Sequence, residues 1–363
     1  MTRPALLARG PRASHRAIPH NRPTLGSAEE RAAGRVIASG WLAQGAEVEA
    51  FENEMCAHLG LPPGHAVATS SGTAALFLAL WALGARDRRV ACPVYACRAL
   101  TDAIAFAGAT PVLIDTEPDR PNADIAAMAH ADAALAIVPH MFGLPADVAK
   151  LGGMPLIEDC AQALGASVGG APVGIAGKIG IFSFYATKVI TSGGQGGMLV
   201  SRDLATVDAV REFREFDLRR DARPRFNFQM TDLAAAIGRA QLAALPSFLA
   251  RRSAIFAKYR EENLELVDAA CNSMPIRYRA VVRSANPRRL IEELARRGIT
   301  AIVPVEAREL LGSAEQFPRA AAFANSTVSL PNYPSLQDEH VSHIAASLRS
   351  IAAEEPSLVR LAR

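Results

Sequence analysis

The chain has 363 residues, half of them hydrophobic, and 39 Lys and Arg against 36 Asp and Glu, for a formal net charge of +3. That composition suits one large domain plus a smaller one with a sizeable core. So mild a basic excess, with no long basic run, gives no footprint for nucleic acid or a membrane surface.

The first 22 residues carry five arginines and no acid. A transit peptide would need an amphipathic, Ser-rich helix, which Pro4, Pro11, Pro19 and Pro23 break. An extended N-terminal arm packing on a partner subunit is expected instead. Helices are predicted over 28–39 and 48–59. Residues 66–84 then run nineteen positions without a charge, close to the length of a membrane span. Thr69, Ser70, Ser71, Gly72 and Thr73 lie inside that run, however. They read as a turn between a strand at 66–69 and a buried helix at 73–83, so no transmembrane segment is expected.

Short apolar runs then alternate with helical patterns. Strands are predicted at 89–92, 110–114, 134–138, 156–158, 179–184 and 198–201, and helices at 97–106 and 231–244. Alternation of this kind implies an α/β domain with a largely parallel sheet, here assigned to residues 1–245 with the N-terminal arm. Ligands bind such sheets beyond the carboxyl ends of the strands. After residue 246 the pattern changes: a helix at 248–263, a strand at 276–282, a helix at 287–297, a strand at 301–305 and a final helix at 338–350. Residues 246–363 therefore read as a small α+β domain. The five cysteines, Cys56, Cys92, Cys97, Cys160 and Cys271, show no CxxC spacing. They fit reduced, mostly buried thiols in a cytoplasmic protein with no metal site.

Three segments carry chemistry. Ser71-Gly72-Thr73 precedes an apolar helix, where free backbone N–H groups form an anion site that suits a phosphate; the same residues also suit an ordinary N-cap. Asp159 and Gln162 follow the run at 156–158, where Asp159 is either a helix cap or a buried carboxylate with a partner. Ser183 and Lys188 follow the strand at 179–184 and precede Gly193, Gly194, Gly196 and Gly197, four glycines in five positions that let backbone approach a ligand closely. A lysine there, once desolvated enough to lose its proton, can form a Schiff base with a carbonyl carbon. Lys188 with a strand-end Asp159 upstream is the pair that pyridoxal phosphate (PLP) needs: the lysine carries the aldehyde and the carboxylate holds the pyridinium proton.

End to end, the chain resembles the DegT/StrS family of PLP-dependent sugar aminotransferases, which share the aspartate aminotransferase (type I) fold. The resemblance runs through Ser39-Gly40-Trp41-Leu42, Ser71 to Leu76, Pro93-Val94-Tyr95, Gly108 to Val112, His140-Met141-Phe142-Gly143, Glu158 to Gln162, and the lysine segment. It continues with Asn227 to Asp232, Gln241-Leu242 and Ser329-Leu330-Pro331. It implies that Lys188 is the Schiff-base lysine and proton shuttle, Asp159 the pyridinium partner and Gln162 the contact to the ring hydroxyl. Gly72, Thr73 and Ser183 match phosphate contacts. Asn227 matches a residue that reaches the cofactor of the neighbouring subunit, which implies a homodimer with shared active sites.

Two departures stand out. Cys97 occupies the position, four after Pro93, where the family usually stacks an aromatic ring on the cofactor; Tyr95 should point to the other side if the local chain is extended. Gln195 stands where Glu is frequent. Arg277 and Arg279 sit where the chain re-enters the small domain and read either as solvated charge or as anchors for a diphosphate or carboxylate. The reaction implied is ping-pong transfer of an amino group from an amino acid, L-glutamate on this reading, to a keto sugar on a nucleotide. A sugar dehydratase on the same scaffold would replace the lysine with histidine. An aminocyclitol acceptor and a non-catalytic sensor are the other readings.

Overall fold

The computed structural model describes residues 17–217, 219–269 and 272–361. Residues 1–16 of the arm, and Cys271, lie outside the described residues.

In chain order the larger part begins with α1 (Ser27–Ser39), α2 (Ala46–Leu59), β1 (Ala66–Thr69), α3 (Gly72–Ala82), β2 (Arg89–Pro93), α4 (Ala99–Phe106) and β3 (Thr110–Ile114). It continues with α5 (Ile125–Ala129), β4 (Leu135–Pro139), β5 (Leu156–Asp159), the short β6 (Ser167–Val168) and β7 (Ala171–Pro172), β8 (Ile179–Ser183), β9 (Gly197–Val200) and α6 (Leu204–Arg214). Seven of these strands form one sheet in the order β1-β9-β8-β5-β4-β2-β3. Neighbours from β8 to β3 pair in parallel. β9 is antiparallel to both β8 and β1. This is the expected α/β architecture with a mostly parallel sheet.

The strands were legible because both faces of the sheet are covered, which makes them near-continuous apolar runs. In β1, Ala66 and Ala68 face one layer with Phe51, Met55 and Leu245, while Val67 faces the other with Leu76, Leu78 and Val210. Parallel pairing places Asp159 and Ser183 at the same edge of the sheet, and α3 starts at that edge just after β1.

The 30-residue helix α7 (Asp232–Glu261) replaces the two helices expected at 231–244 and 248–263. Pro246 removes one N–H but does not break it. Its ring is on the exposed side, where water can bond the carbonyl left over, and the Ser247 hydroxyl donates to the Ala244 carbonyl at 2.7 Å. By length and composition alone α7 could cross a membrane. Here its Leu242 and Leu245 enter one core, its Ile255, Phe256 and Tyr259 another, and Arg239 pairs with Glu47 and Glu54.

The remainder comprises β10 (Ser273–Met274), β11 (Ala280–Arg283), α8 (Pro287–Arg296), α9 (Pro318–Ala324), β12 (Thr327–Leu330) and α10 (Asp338–Glu354). β11 pairs antiparallel with β12. The strand expected at 276–282 begins only at Ala280. Its first residues bond a turn instead: the Ile276 N–H donates to the Gly143 carbonyl at 3.1 Å, and Arg277 has a φ of 49°. The strand expected at 301–305 shrinks to a single bridge between Ile302 and Ser329, because Pro304 has no N–H to extend the ladder. The described part of the N-terminal arm lies on the chain's own C-terminal half. Ile18 is buried there, and its N–H donates to the Gly298 carbonyl at 2.8 Å.

Candidate active site

The site is assembled by the edge where β1, β5 and β8 end. Ser71 caps α3 by accepting from the Ala74 N–H at 3.1 Å, which leaves the Gly72 and Thr73 N–H groups without an intrahelical partner. Gly72 and Gly197 let this turn sit close to the sheet. A Cβ on Gly72 would come within 2.7 Å of the Ser183 Cβ, and one on Gly197 within 2.4 Å of the Ser71 backbone. The lysine loop is closed by its own backbone: the Ala186 N–H donates to the Gly194 carbonyl at 3.0 Å, and the Lys188 N–H to the Tyr185 carbonyl at 3.0 Å.

Gly72, Thr73, Cys97, Asp159, Gln162, Ser183 and Lys188 line one cavity of about 270 Å³, joined by His140, Tyr185 and Gln195. Asn227 does not line it. That side chain is exposed and accepts from the Gln229 N–H at 3.0 Å, though the neighbouring Phe228 carbonyl accepts from the Ser70 N–H at 2.7 Å. A larger cavity, about 710 Å³, lies among residues 146–154, 171–178 and 201–203. None of the sequence-predicted site residues lines it.

Asp159 is buried, and burial pushes its pKa up; the Ala161 N–H, at 2.9 Å from Oδ1, and the charge of Lys188 oppose that rise. No described residue donates to its Oδ2, so the carboxylate is desolvated and open to a cationic partner from the cavity. Gln162 accepts from the Phe142 N–H at 2.9 Å through Oε1, which turns its Nε2 into a free donor. Behind this wall His140 and Glu158 form a buried pair at 3.1 Å. Sequence reasoning passed over that pair as a site element; an adjacent Glu-Asp at a strand end, of which one must point to each side, was the available signal.

Cys97 is exposed at the cavity wall. Tyr95 lies on the far side, fully buried, with ring centroids 6.2 Å from Phe142 and 5.3 Å from Phe323. Arg277 is used locally, paired with Asp268 at 3.2 Å and set over the Phe256 ring. Arg279 reaches His20 and Ser329 and has no carboxylate partner among the described residues.

A lysine loop, a strand-end carboxylate and a helix N-terminus gathered at the carboxyl edge of this sheet define an aminotransferase of the type I PLP fold. The chain belongs to the DegT/DnrJ/EryC1/StrS aminotransferase family, whose model matches residues 23–349. It is 29% identical to a GDP-perosamine synthase of Escherichia coli O157:H7, over 93% of this chain and 99% of that one. It is 31% identical to a dTDP-3-amino-3,4,6-trideoxy-alpha-D-glucose transaminase of Streptomyces venezuelae, over 89% and 92%. The solved aminotransferase TlmJ of Streptoalloteichus hindustanus superposes with a TM-score of 0.87 at 29% identity, covering 93% of this chain and 99% of that one.

The family depends on PLP, which is the cofactor of this chain. The residues present fit it. The glycine-backed turn of α3 with Ser183 suits its phosphate, the open Oδ2 of Asp159 suits a ring N–H, and the free amide of Gln162 suits an oxygen acceptor.

Proposed function

We propose that this aminotransferase moves an amino group from L-glutamate to a keto sugar carried on a nucleotide. The observation that carries the reading is the convergence of Lys188, Asp159, Gln162 and Ser183 on one cavity at the start of α3. The names of both curated relatives, each a sugar-modifying enzyme, support the acceptor class.

When bound, PLP supplies an electron sink for negative charge at the amino carbon. Gly72 and Thr73, through their N–H groups, and Ser183, through its hydroxyl, hold the phosphate. Asp159 holds a proton on the ring nitrogen, and its burial makes that pairing strong. Gln162 donates to the ring oxygen. Lys188 carries the cofactor at rest. With its amine free, Lys188 Nζ would be the base that takes the proton from the donor's α-carbon. General acid–base work of this kind is worth about 10²–10⁴ in rate. In a homodimer, Asn227 would reach the site of the second subunit, and Cys97 leaves one face of the ring without an aromatic partner. We place the domain division at residues 245/246, inside α7.

The experiment is absorption spectroscopy of the purified chain with PLP, before and after L-glutamate, for wild type and Lys188→Ala. The expected result is a visible band in wild type that disappears on adding glutamate, and no such band in the variant. A band that survives Lys188→Ala defeats the assignment. A wild-type band indifferent to glutamate defeats the choice of donor.

A further inference from the structure

Two side chains from opposite ends of the chain meet on one carbonyl beside Lys188. Asn21 Nδ2 donates to the Thr187 oxygen at 3.0 Å, and the Tyr278 hydroxyl donates to the same oxygen at 2.8 Å. The partners are 166 and 91 residues away in sequence, so neither bond belongs to the folding of the loop itself.

Both donors are themselves fixed. The Arg22 N–H donates to Asn21 Oδ1 at 2.8 Å, which settles the amide orientation. The stretch that carries Asn21 is tied to the C-terminal half at several points. Thr300 N–H bonds the Ile18 carbonyl at 2.9 Å, His20 Nε2 lies 2.9 Å from Ser329 Oγ, and Ser335 N–H bonds Thr24 Oγ1 at 3.1 Å. The Tyr278 ring has two guanidinium groups over it, Arg252 at 5.4 Å and Arg279 at 5.6 Å. Arg252 is fully buried on α7 and bonds the Tyr278 carbonyl at 3.0 Å. Two rigid donors thus converge on the peptide group that joins Thr187 to Lys188.

We propose that Asn21 and Tyr278 are positioning residues for Lys188: they fix the Thr187–Lys188 peptide and so aim the lysine amine into the cavity. The inference rests on Lys188 being the cofactor lysine. Its physical content is pre-organisation, since a displacement of about 1 Å at a reacting group costs about 10²-fold in rate. Because both donors serve one oxygen, either alone keeps that oxygen bonded but holds the peptide less firmly. Losing both frees the segment, so the two losses are strongly non-additive. The arrangement also ties the lysine loop directly to the C-terminal half.

The test uses the full chain with PLP and compares wild type, Asn21→Ala, Tyr278→Phe, the double variant and Lys188→Ala. Tyr278→Phe keeps the ring beside its guanidinium groups and removes only the hydroxyl. Four quantities are read: the pH midpoint of the visible band, kcat and KM for the half-reaction with L-glutamate, and the deuterium isotope effect with the α-deuterated donor. Each single variant is expected to lose about 2–5-fold in kcat and the double about 30-fold or more, with KM for glutamate held within about twofold. The band's midpoint should move by about half a unit or more in the double variant, and the isotope effect should rise, because proton movement by a loosened lysine becomes the slow step.

A double variant with the wild-type midpoint and isotope effect overturns the proposal even if kcat falls, since a merely structural role would do that. If the double variant does not fold, unchanged midpoints and isotope effects in both single variants overturn it equally, and displaced ones sustain it. A visible band in Lys188→Ala is a separate result: it removes the reading on which the proposal stands.

Discussion

His140 Nε2 lies 3.1 Å from Glu158 Oε2, and neither side chain reaches solvent. The Ala146 N–H donates to His140 Nδ1 at 3.0 Å, so the ring proton sits on Nε2 and points at the carboxylate. Glu158 also accepts from Gly174 at 3.0 Å, Ala176 at 2.7 Å and Gly177 at 2.7 Å. Burial alone would raise its pKa. His140 and these backbone groups outweigh burial and hold it below the ordinary 4.5. The carboxylate therefore binds the segment at 174–177 to the strand whose next residue is Asp159.

The first prediction concerns Glu158→Gln. Removing the charge weakens the bonds and adds an amide donor facing three N–H groups. A loss of about 2–4 kcal/mol at neutral pH is expected, read from urea denaturation. The pH sign follows from the lowered folded pKa. The stabilisation is fully present above about 4.5, the unfolded value, and is lost as pH falls through the folded value. The gap between wild type and variant should therefore hold from neutral pH down to about 4.5 and close below it. A gap that widens in acid would contradict the assignment.

Asp159 predicts the opposite sign. Its pKa is raised because burial costs its charge more than one N–H and the Lys188 charge return. A carboxylate with a raised folded pKa lowers stability progressively as pH rises above the unfolded value, 3.8. Asp159→Asn keeps an oxygen for the Ala161 N–H. It should make the cofactor-free protein more stable at neutral pH while lowering turnover by about 10²–10³. PLP should then raise the melting temperature of wild type more than that of the variant. An apo variant less stable than wild type would refute this account. The two outcomes together would make Asp159 a case of stability given up for function.

The glycines behind the phosphate turn give a graded prediction. A Cβ at Gly72 meets a serine side chain at 2.7 Å, whereas one at Gly197 meets the Ser71 carbonyl carbon and oxygen at 2.4 Å. Rotation about χ1 does not move the Ser183 Cβ, so both clashes need backbone movement, but three backbone atoms at 2.4, 2.4 and 2.5 Å from a Cβ on Gly197 demand more of it. Gly197→Ala should cost about 1–3 kcal/mol in folding stability, with Gly72→Ala costing less. Gly72→Ala should still weaken PLP binding, because it pushes Ser183 away from the turn. Denaturation curves and PLP titrations of both variants separate the two effects. Equal stability losses would show that the turn is not held as described.

Much of this was legible in the sequence for a physical reason. Strands such as 66–69 and 179–183 are buried on both faces, so composition marks them directly, and in a parallel sheet their ends mark the site. Asp159 and Ser183 close such strands, and Gln162 and Lys188 follow them a few residues on. Local pattern failed where a tertiary contact overruled it. Pro246 looked like a helix break but falls on the exposed side of α7. Ile276 looked like the start of a strand but bonds the turn at Gly143. Asn21 and Tyr278 had no signal at all, because what matters about them is a shared bond to Thr187, and no window of sequence contains all three.

Cys97 supplies the last prediction. It is exposed at the cavity wall, and Tyr95, the nearest aromatic residue in sequence, is committed to Phe142 and Phe323 on the other side. No aromatic neighbour in this segment can therefore swing in to cover the ring. An offset-stacked aromatic pair is worth about 0.5–1.5 kcal/mol beyond the area it buries. Cys97→Phe or Cys97→Tyr should accordingly tighten PLP binding by about 2–12-fold, read from the Kd of the visible band. Cys97→Ser, which changes the chemistry of the side chain but not its size, should leave Kd within about twofold. The pair of results matters more than either alone. Tighter binding by the aromatic variants with no change for serine assigns Cys97 to a missing stacking surface. Weaker binding by the aromatic variants means that the space beside the cofactor is already filled, and that the small side chain is there to make room for something else.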